Sequence, residues 1–178
     1  MIELILDQKN YHAVPFLYFA KSSLYDKGLR FEEGIMFEEE LFSFELLRSC
    51  EKVVCLNQKL YFHNVRSGSV MTSSGKEEFR FQSITVVFKR LIEQFAKSKD
   101  DKILKSYLSR IAMLWLDYYR QLLKQSRGKF SDKYSYFCSQ ILKNDGFGNK
   151  ELVVRCHGEK LWMAYIAPNR IIKKLKRK

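Results

Sequence analysis

The chain has 178 residues, 46% of them apolar and 15% aromatic, which is enough to bury the core of one ordinary domain and excludes a disordered tail. No apolar run approaches the roughly 20 residues of a membrane-spanning helix, and Glu3 and Asp7 interrupt the N-terminal apolar stretch, so the sequence reads as cytoplasmic with no secretory signal. Lys and Arg outnumber Asp and Glu by 32 to 20, with net −4 over residues 1–56 and +16 over 57–178, which predicts a basic body facing nucleic acid, a phosphorylated substrate or an anionic membrane.

Residues 13–20 (AVPFLYFA) read as a short strand that Pro15 confines to a sheet edge or to the strand's start. Ser22 and Ser23 offer a cap for a brief helix that Gly28 stops. After a turn at Gly34, a largely buried helix is predicted from about Glu38 to Cys50, carrying Leu41, Phe42, Phe44, Leu46 and Leu47. KVVCL and KLYFHNV read as a strand pair turning at Asn57-Gln58, and RSGSVMTSSGK as a loop. From Glu77 the apolar residues recur at three and four, first from Ile84 to Phe95 and then from Leu104 to Leu122, with SKDDK between. A third such helix is predicted over about Asp132–Lys143, stopped by Asn144-Asp145-Gly146. A fourth is predicted over Lys150–Ala167, before Pro168.

The fold class is therefore α+β and mostly helical, with a mixed segment over residues 1–76 and a helical extension with a basic tail over 77–178. Cys50, Cys55, Cys138 and Cys156, with His12, His63 and His157, show no metal-ligand spacing, and the cysteines read as a few buried, reduced thiols.

The densest chemical signal is FEEGIMFEEELFSFELL, where Glu38, Glu39 and Glu40 open a helix. Carboxylates there complement the helix dipole, and one of them serves as a general base only where it faces a cleft. Phe31, Glu33 and Gly34, then Glu38-Glu39 with Phe42, then Leu60-Tyr61, then Arg66 and Ser69 follow in order. Over about residues 15–74 this order resembles the C-terminal half of the catalytic domain of family 2 glycosyltransferases. These are the inverting GT-A enzymes of bacterial capsule and cell-surface polysaccharide synthesis.

The resemblance implies a sugar transferred from a nucleotide-sugar to a growing polysaccharide or lipid-linked acceptor, with inversion. Glu39 falls where the family carries its catalytic Asp and would be the base, with Glu38 in support. Arg66 and Ser69 match the loop that closes over the donor diphosphate, an anion suited to an Arg fork. His63 stands where the family often has Tyr and reads as a packed strand histidine. Glu replaces Asp at the base, and the sequence contains neither an Asp-x-Asp metal motif nor a Gly-rich phosphate loop. The resemblance thus implies a C-terminal piece, inactive alone, whose Mg²⁺ or Mn²⁺ and nucleotide site belong to a missing N-terminal half. The uncovered sheet edge would invite self-association.

The tail combines Trp162, Ile171, Ile172 and Leu175 with Arg170, Lys173, Lys174, Lys176, Arg177 and Lys178, a composition suited to peripheral contact with an anionic leaflet or simply to solubility. Two other readings stand beside the transferase. One is a non-catalytic scaffolding remnant of the same fold. The other is a basic nucleic-acid-binding helical module, against which the helix-core spacing of the aromatics and the absence of a reading motif both argue.

Overall fold

The computed structural model describes residues 19–26, 28–54, 58, 60, 62, 75–123 and 131–158. The chain divides into two compact units, Met1–Ser98 and Lys99–Lys178, so the first long helix belongs with the N-terminal segment.

In the first unit a single-turn helix α1 (Ser23–Asp26) ends at Gly28, whose φ of 84° is the left-handed conformation that favours glycine. Helix α2 (Glu38–Ser49) follows, then α3 (Glu77–Lys97). Leu41, Phe42, Ser43 and Phe44 are all buried, and four consecutive helical residues sweep almost the whole circumference. Helix α2 is therefore surrounded rather than laid on a surface. One side packs in a cluster of Leu24, Leu29, Phe42 and Leu46, with Cys50 against it. Helix α3 is one-sided in the ordinary way, burying Phe81, Ile84, Val87, Phe88, Leu91 and Phe95. Buried Ser83 on α3 accepts a hydrogen bond from the Met36 amide at 3.0 Å, which satisfies a donor in the turn leading into α2.

Among the described residues there is no strand, so the mostly helical part of the expectation holds and the short strands are not seen. Of AVPFLYFA only Phe19 and Ala20 are described, and neither has regular structure. In the proposed strand pair, Lys52, Val53, Val54, Leu60 and Phe62 are irregular, and the remaining residues lie outside the described ones.

The second unit is built on α4 (Lys102–Leu123), α5 (Ser131–Lys143) and α6 (Lys150–Cys156). Asp101 caps α4, its carboxylate accepting from the Leu104 amide at 2.9 Å. Leu104, Leu108, Ile111, Trp115 and Leu122 lie along one buried stripe of α4, and Phe137, Cys138 and Ile141 of α5 are buried in the same unit's core. At its centre Trp115 lies parallel to Tyr119 (5.9 Å between centroids) and Tyr134 (6.0 Å), and tilts against Phe137 at 5.3 Å.

Between α5 and α6 the residues Asp145, Gly146, Phe147 and Gly148 have φ of 51°, 56°, 54° and 82°, a full turn of left-handed backbone. This turn buries Phe147 and hands the chain to Asn149, whose side chain accepts from the Glu151 amide at 3.0 Å and so caps α6. The fourth predicted helix is shorter than its pattern. It ends at Cys156, and Gly158, at φ 116°, lies outside helical space.

Candidate functional site

The segment carrying the proposed catalytic pair is held at several points. Gly34 (φ 75°) and Phe37 (φ 67°) are both left-handed and turn the chain into α2 at Glu38. Phe31 stacks on Phe42 at 3.9 Å and 11°, and Arg90 of α3 grips Glu32 with contacts of 3.0 and 3.3 Å. Glu38 and Glu39 are half-buried in the first turn of α2, while Glu40 is buried. No side chain caps the helix, which leaves its N-terminal dipole to these three carboxylates. Glu38, Glu39 and Phe42 thus sit on one element behind one rigid turn. Arg66, Ser69 and His63 lie outside the described residues, as do Trp162, Arg170, Lys173, Lys174, Lys176, Arg177 and Lys178.

A cleft of about 400 Å³ in the first unit is lined by Leu29, Phe44, Glu45, Arg48 and Gln94, and not by Glu38, Glu39 or Glu40. Burial pushes the Glu45 carboxyl above its ordinary 4.5; the Gln94 amide and Arg90 pull it partly back, and Glu32 pushes it further up. The folded state therefore holds this proton to higher pH than the unfolded chain does. The stability the group contributes is complete below pH 4.5 and declines as pH rises through the raised value. Glu45→Gln is expected to flatten that decline and stabilise the protein at neutral pH, since an amide oxygen can still accept from Gln94. Urea unfolding of both proteins at pH 4 and pH 7 checks this. A difference of equal size at the two pH values would mean that the carboxyl is not held up by burial.

The second unit holds a larger cleft, of about 610 Å³, between one face of α4 and the left-handed turn with the start of α6. Lys102, Lys105, Ser106 and Ser109 line it from α4, and Asn149 and Lys150 from the other side. In the sequence these residues are hidden, because polar side chains at three- and four-residue spacing read as a solvated helix face. The readable signal was Lys-x-x-Lys-Ser-x-x-Ser, directly opposite the buried stripe.

Elsewhere in this unit the Cys138 and Cys156 thiols hydrogen-bond each other. The bond from Cys156 holds Cys138 below its ordinary value against the burial that would raise it, and the Tyr134 hydroxyl adds to that effect. Cys156 is pushed up correspondingly, by that bond and by burial. Cys50, Cys138 and Cys156 are free thiols. Among the described residues no group of three or more His, Cys, Asp or Glu is placed to hold a metal ion, and no helix is long and apolar enough to cross a membrane.

Compared with known proteins, the chain matches no family model, no curated protein and no solved structure.

Proposed function

We propose that this chain is the acceptor-side part of an inverting family 2 glycosyltransferase, moving a sugar from a nucleotide-sugar to a capsular, cell-surface or lipid-linked saccharide. What carries the reading is the order Phe31, Glu33, Gly34, Glu38, Glu39, Phe42 on a braced left-handed turn that opens α2 at Glu38. In this reading the half outside this chain forms the other wall of a cleft over Glu39, which takes the proton of an acceptor hydroxyl as that oxygen bonds to the anomeric carbon. The bond from that carbon to the diphosphate breaks with inversion, and the nucleoside diphosphate leaves. Glu38 supports the acceptor's position. Arg66 and Ser69 bind the departing diphosphate, where a guanidinium can pair two oxygens at once.

The short strands of a GT-A domain belong to this reading too, over residues 1–76. With no Asp-x-Asp in the sequence, the nucleotide and its Mg²⁺ or Mn²⁺ are held by residues outside this chain, and no step above runs through the metal. The basic tail, from Trp162 and Arg170 to Lys178, places the enzyme at an anionic inner leaflet, close to a lipid-linked acceptor.

Two measurements test the proposal. The chain alone, titrated with UDP- and GDP-sugars and Mn²⁺ in a calorimeter, is expected to show no binding; micromolar affinity would overturn the division of labour. Co-expressed with a polypeptide carrying the Asp-x-Asp half, the chain is expected to support sugar transfer, and Glu39→Gln to lower kcat about 100-fold or more. Glu93→Gln, on the exposed face of α3, should leave the rate unchanged. Equal rates for Glu39→Gln and wild type would remove Glu39 as the base.

A second reading, a non-catalytic interaction module of the same fold, draws support from exposed Phe19, Val54, Leu60 and Phe62. It predicts no transfer under any pairing.

A further inference from the structure

We propose that the cleft between α4 and the left-handed turn binds a phosphoryl group. Its basic lining comes from two directions: Lys102 and Lys105 stand three residues apart on α4, and Lys150 opens α6. Among the described residues none of these ammonium groups has an acidic partner. Glu151 also lines the cleft, but Arg155 holds its carboxylate at 2.7 Å and binds Asp117 on α4 at the same distance. Glu151 is thus paired with Arg155 and with none of the three lysines. Three like charges gathered in a concavity repel one another and focus a positive potential, which a multivalent anion relieves.

The neutral groups suit the same ligand. The Asn149 amide donates to Ser109 Oγ at 3.0 Å, and its carbonyl oxygen is taken by the Glu151 amide. Ser109 already accepts a hydrogen bond, so its own proton remains to be donated, and a phosphoryl oxygen is an acceptor. The left-handed turn keeps the cleft open at its edge. Gly148, at φ 82°, presents no side chain, and the Lys105 stem passes 3.7 Å from where a Cβ would stand. Lysine suits this role as a mobile point charge that can follow a phosphoryl oxygen.

Such a group can reach the cleft on a small soluble ligand or on a lipid headgroup. The test therefore titrates the full chain separately with inorganic pyrophosphate and with short-chain phosphatidic acid below its micellar concentration. Calorimetry at low salt is compared for wild type, Lys105→Gln, Lys150→Gln and Lys89→Gln. Lys89 is an exposed lysine of α3, so its variant changes the net charge equally without touching the cleft.

The expected result is saturable binding of at least one probe, weakened about tenfold by Lys105→Gln and by Lys150→Gln and unaffected by Lys89→Gln, as for the loss of one charge-assisted hydrogen bond. Tighter binding of pyrophosphate assigns the cleft to a soluble ligand, and tighter binding of phosphatidic acid assigns it to a headgroup. Equal weakening by all three variants would reduce the effect to net charge and overturn the site, as would no saturable binding of either probe below about 10 mM. Circular dichroism of each variant confirms that lost binding is not lost folding.

Discussion

Trp115→Ala is expected to destabilise the second unit by about 3–5 kcal/mol, the range for emptying a large aromatic site in a packed core. Trp115 is fully buried in the middle of α4 and touches the rings of Tyr119, Tyr134 and Phe137. Its removal takes away transfer energy and leaves a cavity walled by three rings that cannot all collapse into it. Tyr136→Ala is the contrast. That ring is 54% exposed and meets Phe137 in an edge contact at 5.1 Å between centroids, so its loss should cost well under about 1 kcal/mol. Urea unfolding followed by far-ultraviolet circular dichroism compares the two. Similar midpoints for Trp115→Ala and Tyr136→Ala would show that the core is not centred on Trp115.

Gly146→Val is expected to cost about 3 kcal/mol through two separate penalties. The backbone there has φ 56°, a region β-branched residues strongly avoid, and the strain alone amounts to about 1–3 kcal/mol. In addition, a Cβ at this position would lie 2.8 Å from Val153 Cγ2 and 3.4 Å from the Val153 nitrogen, so the Val153 side chain or α6 itself would have to shift. Gly28→Val separates the terms, because Gly28 (φ 84°) has nothing within 4 Å of its would-be Cβ and suffers only the backbone strain. Thermal melts of the two variants should place Gly146→Val below Gly28→Val. The reverse order would refute the clash with α6.

The long helices were legible because a half-buried helix writes its burial at a spacing of three and four. Ile84 to Phe95 and Leu104 to Leu122 gave α3 and α4, and Ser98 to Asp101 gave the break between them. Helix α2 was legible for another reason: its near-continuous apolar run, opened by three glutamates, marks a helix enclosed on most sides. The early end of α6 was not, since Leu161, Tyr165 and Ile166 continue an apolar pattern past Gly158 and periodicity says nothing of a glycine at φ 116°.

The left-handed turn was legible only as a stop. Asn144-Asp145-Gly146 announces a helix end, whereas positive φ at Asp145 and Phe147 depends on Phe147 finding burial between elements distant in sequence. Of the candidate sites, Glu38 and Glu39 could be placed at a helix start from the residues alone. The lysine-lined cleft could not, because it needs Lys150 beside Lys102 and Lys105, a juxtaposition only the folded chain creates.

The enclosure of α2 also bears on how the protein is made. The Met36 amide finds its partner on Ser83, 47 residues later in the chain. At about 5–20 residues per second, a ribosome needs about 2–9 seconds to supply that partner after Met36 emerges. During that interval Leu41, Phe42, Phe44, Leu46 and Leu47 have no α3 to close over them. The nascent chain therefore displays the apolar residues of α2 for seconds before α3 can pack against them, and a fragment ending before Glu77 would keep them displayed.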